Sequence, residues 1–189
     1  MLHIEPCTFG ELADIKKISD DQFGVNYMSE NDLRQYLSSE KSQVIAARKD
    51  GILVGFSIFI LGQFSDILSE IGQMHYNVIK PFEKNNLIHL HKSTAVHSLH
   101  FNEGIGSALM MHEFETYRAE VYLSMIWNRE IPGRMKDIVA KHGLTHFCEI
   151  ENYWSNGSTI NDYMCPECGN PPCTCTLVIM SKTANAGTS

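Results

Sequence analysis

Long apolar runs are missing from this 189-residue sequence. None reaches the roughly 18 residues that a membrane-spanning helix needs. Excess positive charge is missing too. The formal net charge is −7, from 15 Lys and Arg against 22 Asp and Glu. That argues against general binding to DNA or RNA, which depends on cations displacing counterions from phosphates. It permits a cationic partner such as an amine. The opening Met1-Leu2-His3-Ile4-Glu5 lacks the basic start and apolar core of a secretion signal. Repeats and low-complexity blocks are absent. Between His142 and Ser181 there is neither Lys nor Arg.

What is present suits one soluble domain. The apolar fraction of 43% and charged fraction of 20% are ordinary for a globular protein, and the length suffices for a real core. We expect a single domain over residues 1–182 and a small polar tail, 183–189, without fixed structure. Six cysteines without a secretion signal suggest a reducing, cytoplasmic setting, where clustered thiols hold metal more often than they form disulfides.

Hydrophobic spacing predicts the elements. Leu2-His3-Ile4 reads as a strand. Thr8 with Glu11 makes a capping box, and Leu12, Ile15 and Ile18 place a helix over 9–22. A second helix fits 29–39, with Ser29 as its N-cap. Val44–Ala47 and Ile52–Leu61 read as a hairpin around Asp50-Gly51, the second strand buried on both faces. Residues 62–86 read as a helical or looped insertion, with Phe64, Ile67, Leu68 and Ile71 at helical spacing. A strand over 87–96 follows, then a helix over Ile105–Glu120 with Ile105, Ala108, Leu109, His112, Phe114 and Tyr117 inward. Tyr122–Trp127 is a strand. Pro132 opens a helix that buries Met135, Ile138 and Val139, and Gly143 ends it. Leu144–Ile150 is a strand, Glu151–Asn161 a polar stretch, and Leu177–Met180 the last strand. This order describes a mixed α/β or α+β layered domain.

The strand over 87–96 leads into Gly104-Ile105-Gly106-Ser107-Ala108. Glycines at a helix start let backbone N–H groups of residues 103–108 approach an anion at the positive end of the helix dipole. Taken alone, such glycines are also ordinary turn residues. In context, Thr94-Ala95-Val96, followed eight residues after Val96 by Gly104-Ile105-Gly106-Ser107-Ala108-Leu109, resembles the acetyl-CoA motif of the GCN5-related N-acetyltransferases. Ala46–Phe56 is similar to that family's preceding hairpin, and His142-Gly143-Leu144 to the end of its last helix. The resemblance covers residues 2–182. It implies a central, mostly antiparallel sheet flanked by helices, and direct transfer of an acetyl group from coenzyme A to a primary amine. It also implies that Val96 and His97 offer backbone N–H groups to the acyl carbonyl, that residues 103–108 hold the pyrophosphate, and that Asn128 lies near the cofactor. Three positions depart from the pattern. Phe101 replaces a basic or amide residue. Glu103 puts a carboxylate before the first glycine, which would repel a pyrophosphate unless it turned to solvent. Val139 stands where the family often has a tyrosine acid.

Acyl transfer to an amine needs a base. His89, His91, His97 and His100 fall within one short stretch, and histidine titrates near neutrality. His91 is the first candidate for the base and His89 the second. A strand histidine can equally be a hydrogen-bonded structural residue. Tyr163 and Tyr153, in the loop before the last strand, are candidate acids or packing residues.

Cys165-x2-Cys168-x4-Cys173-x-Cys175 offers four thiolates at a spacing suited to tetrahedral Zn²⁺ with no open ligand position, hence a structural site. Disulfides, free thiols or an iron–sulfur centre are the alternatives. Gly169 fits the tight turn of a zinc knuckle within the loop 151–176, which borders the family's acceptor pocket. Glu149, Glu151, Asp162 and Glu167 could draw a cationic amine there, or form a solvated acidic loop. A second reading stays open: a coenzyme A-binding protein with little catalysis whose zinc loop holds a protein partner. A homodimer also stays open.

Overall fold

The computed structural model describes residues 1–129 and 134–184. Seven strands form one sheet: β1 (Leu2–Pro6), β2 (Ser42–Lys49), β3 (Ile52–Gly62), β4 (Ile88–Val96), β5 (Val121–Trp127), β6 (Thr145–Ile150) and β7 (Leu177–Thr183). Their order across the sheet is β1-β2-β3-β4-β5-β7-β6. Every neighbouring pair is antiparallel except β4 and β5. Asp50 and Gly51 both have positive φ, 53° and 81°, as a two-residue hairpin turn between β2 and β3 requires.

Seven α-helices cover the sheet among the described residues: α1 (Leu12–Phe23), α2 (Glu30–Ser38), α3 (Phe64–Ile71), α4 (Tyr76–Ile79), α5 (Ile105–Thr116), α6 (Arg134–Lys141) and α7 (Ser155–Asn161). Alternation along β3 assigns the faces, shifted by one residue at a bulge where Gly55 pairs with Ala47, Leu53 with Arg48, and Val54 is extra. Phe56 and Ile58 meet α1 and α2, and Ile60 meets α3; Val54 and Phe59 meet Ile105 and Leu109 of α5. No helix among the described residues is long and apolar enough to cross a membrane.

The boundaries differ from the sequence reading where local signals are weak. The capping box at Thr8 is formed, but a 3-10 turn, Phe9–Glu11, precedes α1. Helix α5 stops at Thr116, and Val121 already belongs to β5. Its inner side is Ile105, Leu109, Met110, Glu113 and Phe114. Residues 62–86 are more than an insertion. Ile67, Leu68, Ile71, Ile79 and Phe82 pack on Ile88, Leu90 and Leu123 and close one face of the sheet. The polar stretch 151–161 carries α7. The last strand continues to Thr183, so the expected tail begins inside β7. Gly143, at φ 84°, follows α6 as expected. Pro132 and residues 185–189 lie outside the described residues.

His89 lies fully buried between the sheet and α5. Its ring stacks on Phe59 at 4.9 Å, and neither nitrogen has a hydrogen-bond partner. Burial pushes the imidazole down from 6.5 to about 4. The unfolded chain therefore binds a proton below about pH 6.5 that the folded chain refuses until about pH 4. Stability is predicted to fall over that interval by up to about 3 kcal/mol from this group, and to level off below it. His89→Leu should flatten that part of the profile, measured by urea unfolding at a series of pH values.

Candidate active site

β4 and β5 are hydrogen-bonded only where Ile88–His91 face Val121–Ser124. Beyond that point they part. β4 stays on β3 to Val96, and β5 stays on β7 to Trp127. A bulge helps separate them: Phe59 pairs with His91 and Ile58 with Ser93, leaving Lys92 as the extra residue. The wedge opens into a cavity of about 780 Å³ between the two strand ends, the start of α5, α6 and the chain after α1.

The wedge exposes one useful backbone group. The His97 N–H donates to the Val54 carbonyl at 2.8 Å, so residues 54 and 97 form a hydrogen-bonded pair. Pairs alternate along an antiparallel ladder, so Val96, opposite Gly55, directs its N–H away from β3 and into the wedge. This corrects the expectation for His97, whose N–H is already bonded. Gly55 is required here, since a Cβ would stand 2.9 Å from the Ala95 carbonyl oxygen.

The second feature is the start of α5. Gly104 is left-handed, φ 79°, with open space where a Cβ would be. The first helical bond runs from the Ala108 N–H to the Gly104 carbonyl at 3.0 Å. The N–H groups of Ile105, Gly106 and Ser107 are therefore left without helical partners, at the positive end of the dipole and on the cavity wall. Ala108 and Glu103 are not on that wall. Glu103 instead receives Lys49 at 2.8 Å and meets His100 at 3.2 Å, which hold its carboxyl below the usual range. The predicted repulsion is thus largely offset. Asn128 is on the wall, and its Oδ1 accepts from Lys136 at 2.7 Å. Lys136 and Lys141 of α6 add positive charge there.

The other end of the cavity is aromatic: Phe23, Tyr27, Trp127, Trp154 and Tyr163. Arg129 lies over the Trp127 ring at 3.6 Å and bonds the Gln22 carbonyl at 2.9 Å. The Tyr163 hydroxyl donates to the Phe23 carbonyl at 2.6 Å, and burial raises it well above the usual phenol range. Tyr153 donates to the Ile71 carbonyl at 3.0 Å, away from the wall. His91 is on the cavity floor, with Glu113 against its Nδ1; His89 does not reach the cavity. Glu149, Glu151, Asp162 and Glu167 do not line it, and Glu167 stands 3.5 Å from Arg129.

Sequence reasoning missed Ser57, Lys92, Glu113 and Arg129. Glu113 falls four residues after Leu109, and that register was the signal that could have found it. Lys92 lies on the face opposite His91, where it pairs with Glu70 and lies over the Tyr36 ring. No short-range pattern marks that contact.

The four cysteines of the loop come together, with all four sulfurs within 4.8 Å of one another. Cys165 and Cys175 are 3.7 Å apart, Cys168 and Cys173 3.9 Å, and Cys168 and Cys175 3.3 Å. Thiolates about 2.3 Å from a tetrahedral metal lie about 3.8 Å from each other, so the set fits such an ion. No disulfide joins them. Cys165 and Gly169 exchange backbone bonds of 3.0 and 2.8 Å, and Gly169 has φ 79°, which closes the knuckle turn.

No protein-family model matches the chain, and no curated protein matches it. Solved structures do. Arabidopsis thaliana NAA60 in complex with a bisubstrate analogue is 11% identical at a TM-score of 0.72, covering 99% of this chain and 100% of that one. The ribosomal-protein-S18-alanine N-acetyltransferase from Escherichia coli is 15% identical at 0.67, covering 99% and 97%. Arabidopsis thaliana Naa50 in complex with the bisubstrate analogue CoA-Ac-MVNAL is 14% identical at 0.64, covering 97% and 99%. The chain has the fold of the GCN5-related N-acetyltransferases, with a cysteine cluster near its C-terminal end.

The thiolate set predicts about one tightly held metal ion per chain. Elemental analysis of protein purified without added metal should find it, and Cys165→Ser should reduce the ratio well below one.

Proposed function

We propose that this protein is an acetyl-CoA-dependent N-acetyltransferase that acylates a primary amine by direct transfer. The observation that carries the reading is the Val96 N–H, free in the wedge between β4 and β5 and followed by the three free N–H groups at the start of α5. In this reading Ile105, Gly106 and Ser107 bind the pyrophosphate. Asn128, Lys136 and Lys141 border the same end. The Val96 N–H polarises the acyl carbonyl and holds the oxygen charge that develops on attack. The aromatic end receives the acceptor. The likeness to the ribosomal-protein-S18-alanine N-acetyltransferase, and to Naa50 bound to CoA-Ac-MVNAL, supports acetyl transfer to an amine.

Of the candidate acid–base residues, His91 is the one we retain as base, because it combines a place on the cavity floor with the buried Glu113 carboxylate; His100, also on the wall, pairs with the exposed Glu103. His89 is sealed from the cavity, and the Tyr163 hydroxyl is directed to a backbone carbonyl. An acceptor that is cationic overall loses its sequence support, since the four acids of the loop do not face the cavity and Arg129 does.

We assign Zn²⁺ to the cysteine cluster, on the number and spacing of its thiolates. Its role is structural. The segment it anchors holds the chain after α1 over the acceptor end: Met164 N–H bonds the Val25 carbonyl at 3.1 Å and Asn26 Nδ2 bonds the Asp162 carbonyl at 3.2 Å. At Gly24 a Cβ would stand 2.1 Å from the Met164 carbonyl oxygen, so the two segments touch backbone to backbone. A metal-holding thiol cluster suits a reducing, cytoplasmic location.

Val139, fully buried where the family often has an acid, favours a second reading: coenzyme A binding with little turnover, the zinc loop holding a partner. One assay separates the two. Acetyl-CoA binding by calorimetry, followed by release of free coenzyme A across a panel of peptide and small-molecule amines, should show both binding and turnover. Binding with no turnover on any amine supports the second reading, and no binding removes both. Gly104→Glu places a carboxylate at the start of α5 and strains the left-handed position. It should weaken acetyl-CoA binding at least about tenfold, the scale of a like charge brought close to a phosphate site.

A further inference from the structure

Glu113 is a charged side chain buried inside an otherwise apolar layer, between α5 and the sheet. It lies on the helix whose start opens on the cavity, just over two turns further along. Burying a carboxylate is costly unless it is paired and hydrogen-bonded. Its partners lead back to the cavity. His91 Nδ1 stands 3.1 Å and 3.2 Å from the two carboxylate oxygens, and Ser57 Oγ donates to Oε2 at 2.7 Å. Thr94 Oγ1 donates to Ser57 Oγ at 2.9 Å, and 3.5 Å separates it from His91 Nε2. An Nδ1–H given to Glu113 would leave Nε2 as the ring's acceptor. The ring itself is covered, whereas Thr94 is only partly buried and lines the cavity. The Thr94 hydroxyl therefore lies between the cavity and Nε2.

We propose that Thr94, His91, Ser57 and Glu113 form a buried proton relay serving the acyl transfer. The proposal rests on the acetyltransferase reading above. The acceptor ammonium first loses one proton to solvent. As the amine nitrogen attacks and the C–N bond forms, its second proton passes to Thr94 Oγ1, whose hydroxyl turns from Ser57 Oγ and gives its own proton to His91 Nε2. The C–S bond then breaks, and the sulfur leaves with the electron pair. The relay runs back through Thr94, and the sulfur takes that proton. Ser57 and Glu113 are positioning residues. Glu113 fixes the imidazole tautomer and faces the charge the ring acquires; Ser57 holds both Glu113 and Thr94.

The groups around His91 are Ser57 and Phe59 from β3, Thr94 and His89 from β4, Ser124 in register on β5, and Glu113 from α5. Glu113 and His89 are the titratable ones. His89 Nε2 is 3.4 Å from Glu113 Oε1 but makes no hydrogen bond, so it stands beside the relay and outside it.

Thr94→Val keeps the shape of the side chain and removes the hydroxyl. With the best amine of the panel, kcat should fall about 100-fold, the scale of lost acid–base catalysis, while acetyl-CoA affinity stays at the wild-type value. Glu113→Gln should lower kcat and move the acid limb of the pH–rate profile, with partial rescue by Glu113→Asp. Nitrogen-15 spectra of the His91 ring should show the Nδ1–H tautomer in the wild-type protein and its loss in Glu113→Gln. Should Glu113→Gln fail to fold, Thr94→Val and Ser57→Ala carry the test. Wild-type kcat and pH profile in both overturn the relay alone. Acetyl-CoA binding without turnover on any amine overturns the relay together with the transferase reading.

Discussion

β4 and β5 run side by side from Ile88 to His91 and then part. The cavity, the free Val96 N–H and the approach to α5 all depend on that separation. Each strand is held by its other neighbour, β4 by β3 and β5 by β7, so the wedge cannot close by simple pairing. The bulge at Lys92 reinforces it. One extra residue on β4 bends the strand, and the Lys92 side chain is anchored by Glu70 on the face opposite His91. The sheet gives up backbone bonds along the last residues of β4. What it gains is an oriented donor in a cavity walled by side chains on both sides.

Charge is distributed against the average of the chain. The net charge of −7 would disfavour an anionic cofactor if it were spread evenly. It is not. Lys92, Arg129, Lys136 and Lys141 line the cavity, with Asp137 as the acid among its described lining residues. Glu103, the residue most threatening to a pyrophosphate, is occupied by Lys49 and His100. Two of the wall's cations are partnered as well, Lys92 by Glu70 and Arg129 by Glu167. Their charge therefore acts over short range, as hydrogen bonds and stacking, more than as a field.

Much of this was legible in the residues. The hairpin at Asp50-Gly51, the strand before Gly104, the glycine turn and the four cysteines are all short-range patterns, each a consequence of local backbone chemistry. What escaped depends on contacts between distant segments. The stretch 151–161 is polar because α7 is largely exposed, so it lacks the apolar periodicity that marks a packed helix. Residues 62–86 looked peripheral because their apolar face has meaning only against Leu90 and Leu123. The acids of the cysteine loop looked like a lure for a cation, yet folding directs Glu167 to Arg129 and Glu149 toward His146.

By itself the sequence determined the helix that begins at Gly104–Ile105 and the cluster of thiols, because a left-handed glycine and closely spaced cysteines impose their geometry locally. Tertiary structure decided which donors are free. His97 and Val96 are adjacent and equally plausible in sequence, but the ladder to β3 takes the first and turns the second into the wedge. It also decided which histidine borders the cavity. His89 and His91 share one strand face, but His91 and Thr94 line the cavity and His89 is packed in the core. Local spacing specifies which groups a segment offers. The packing of segments far apart in the chain specifies which of those groups remain unpaired.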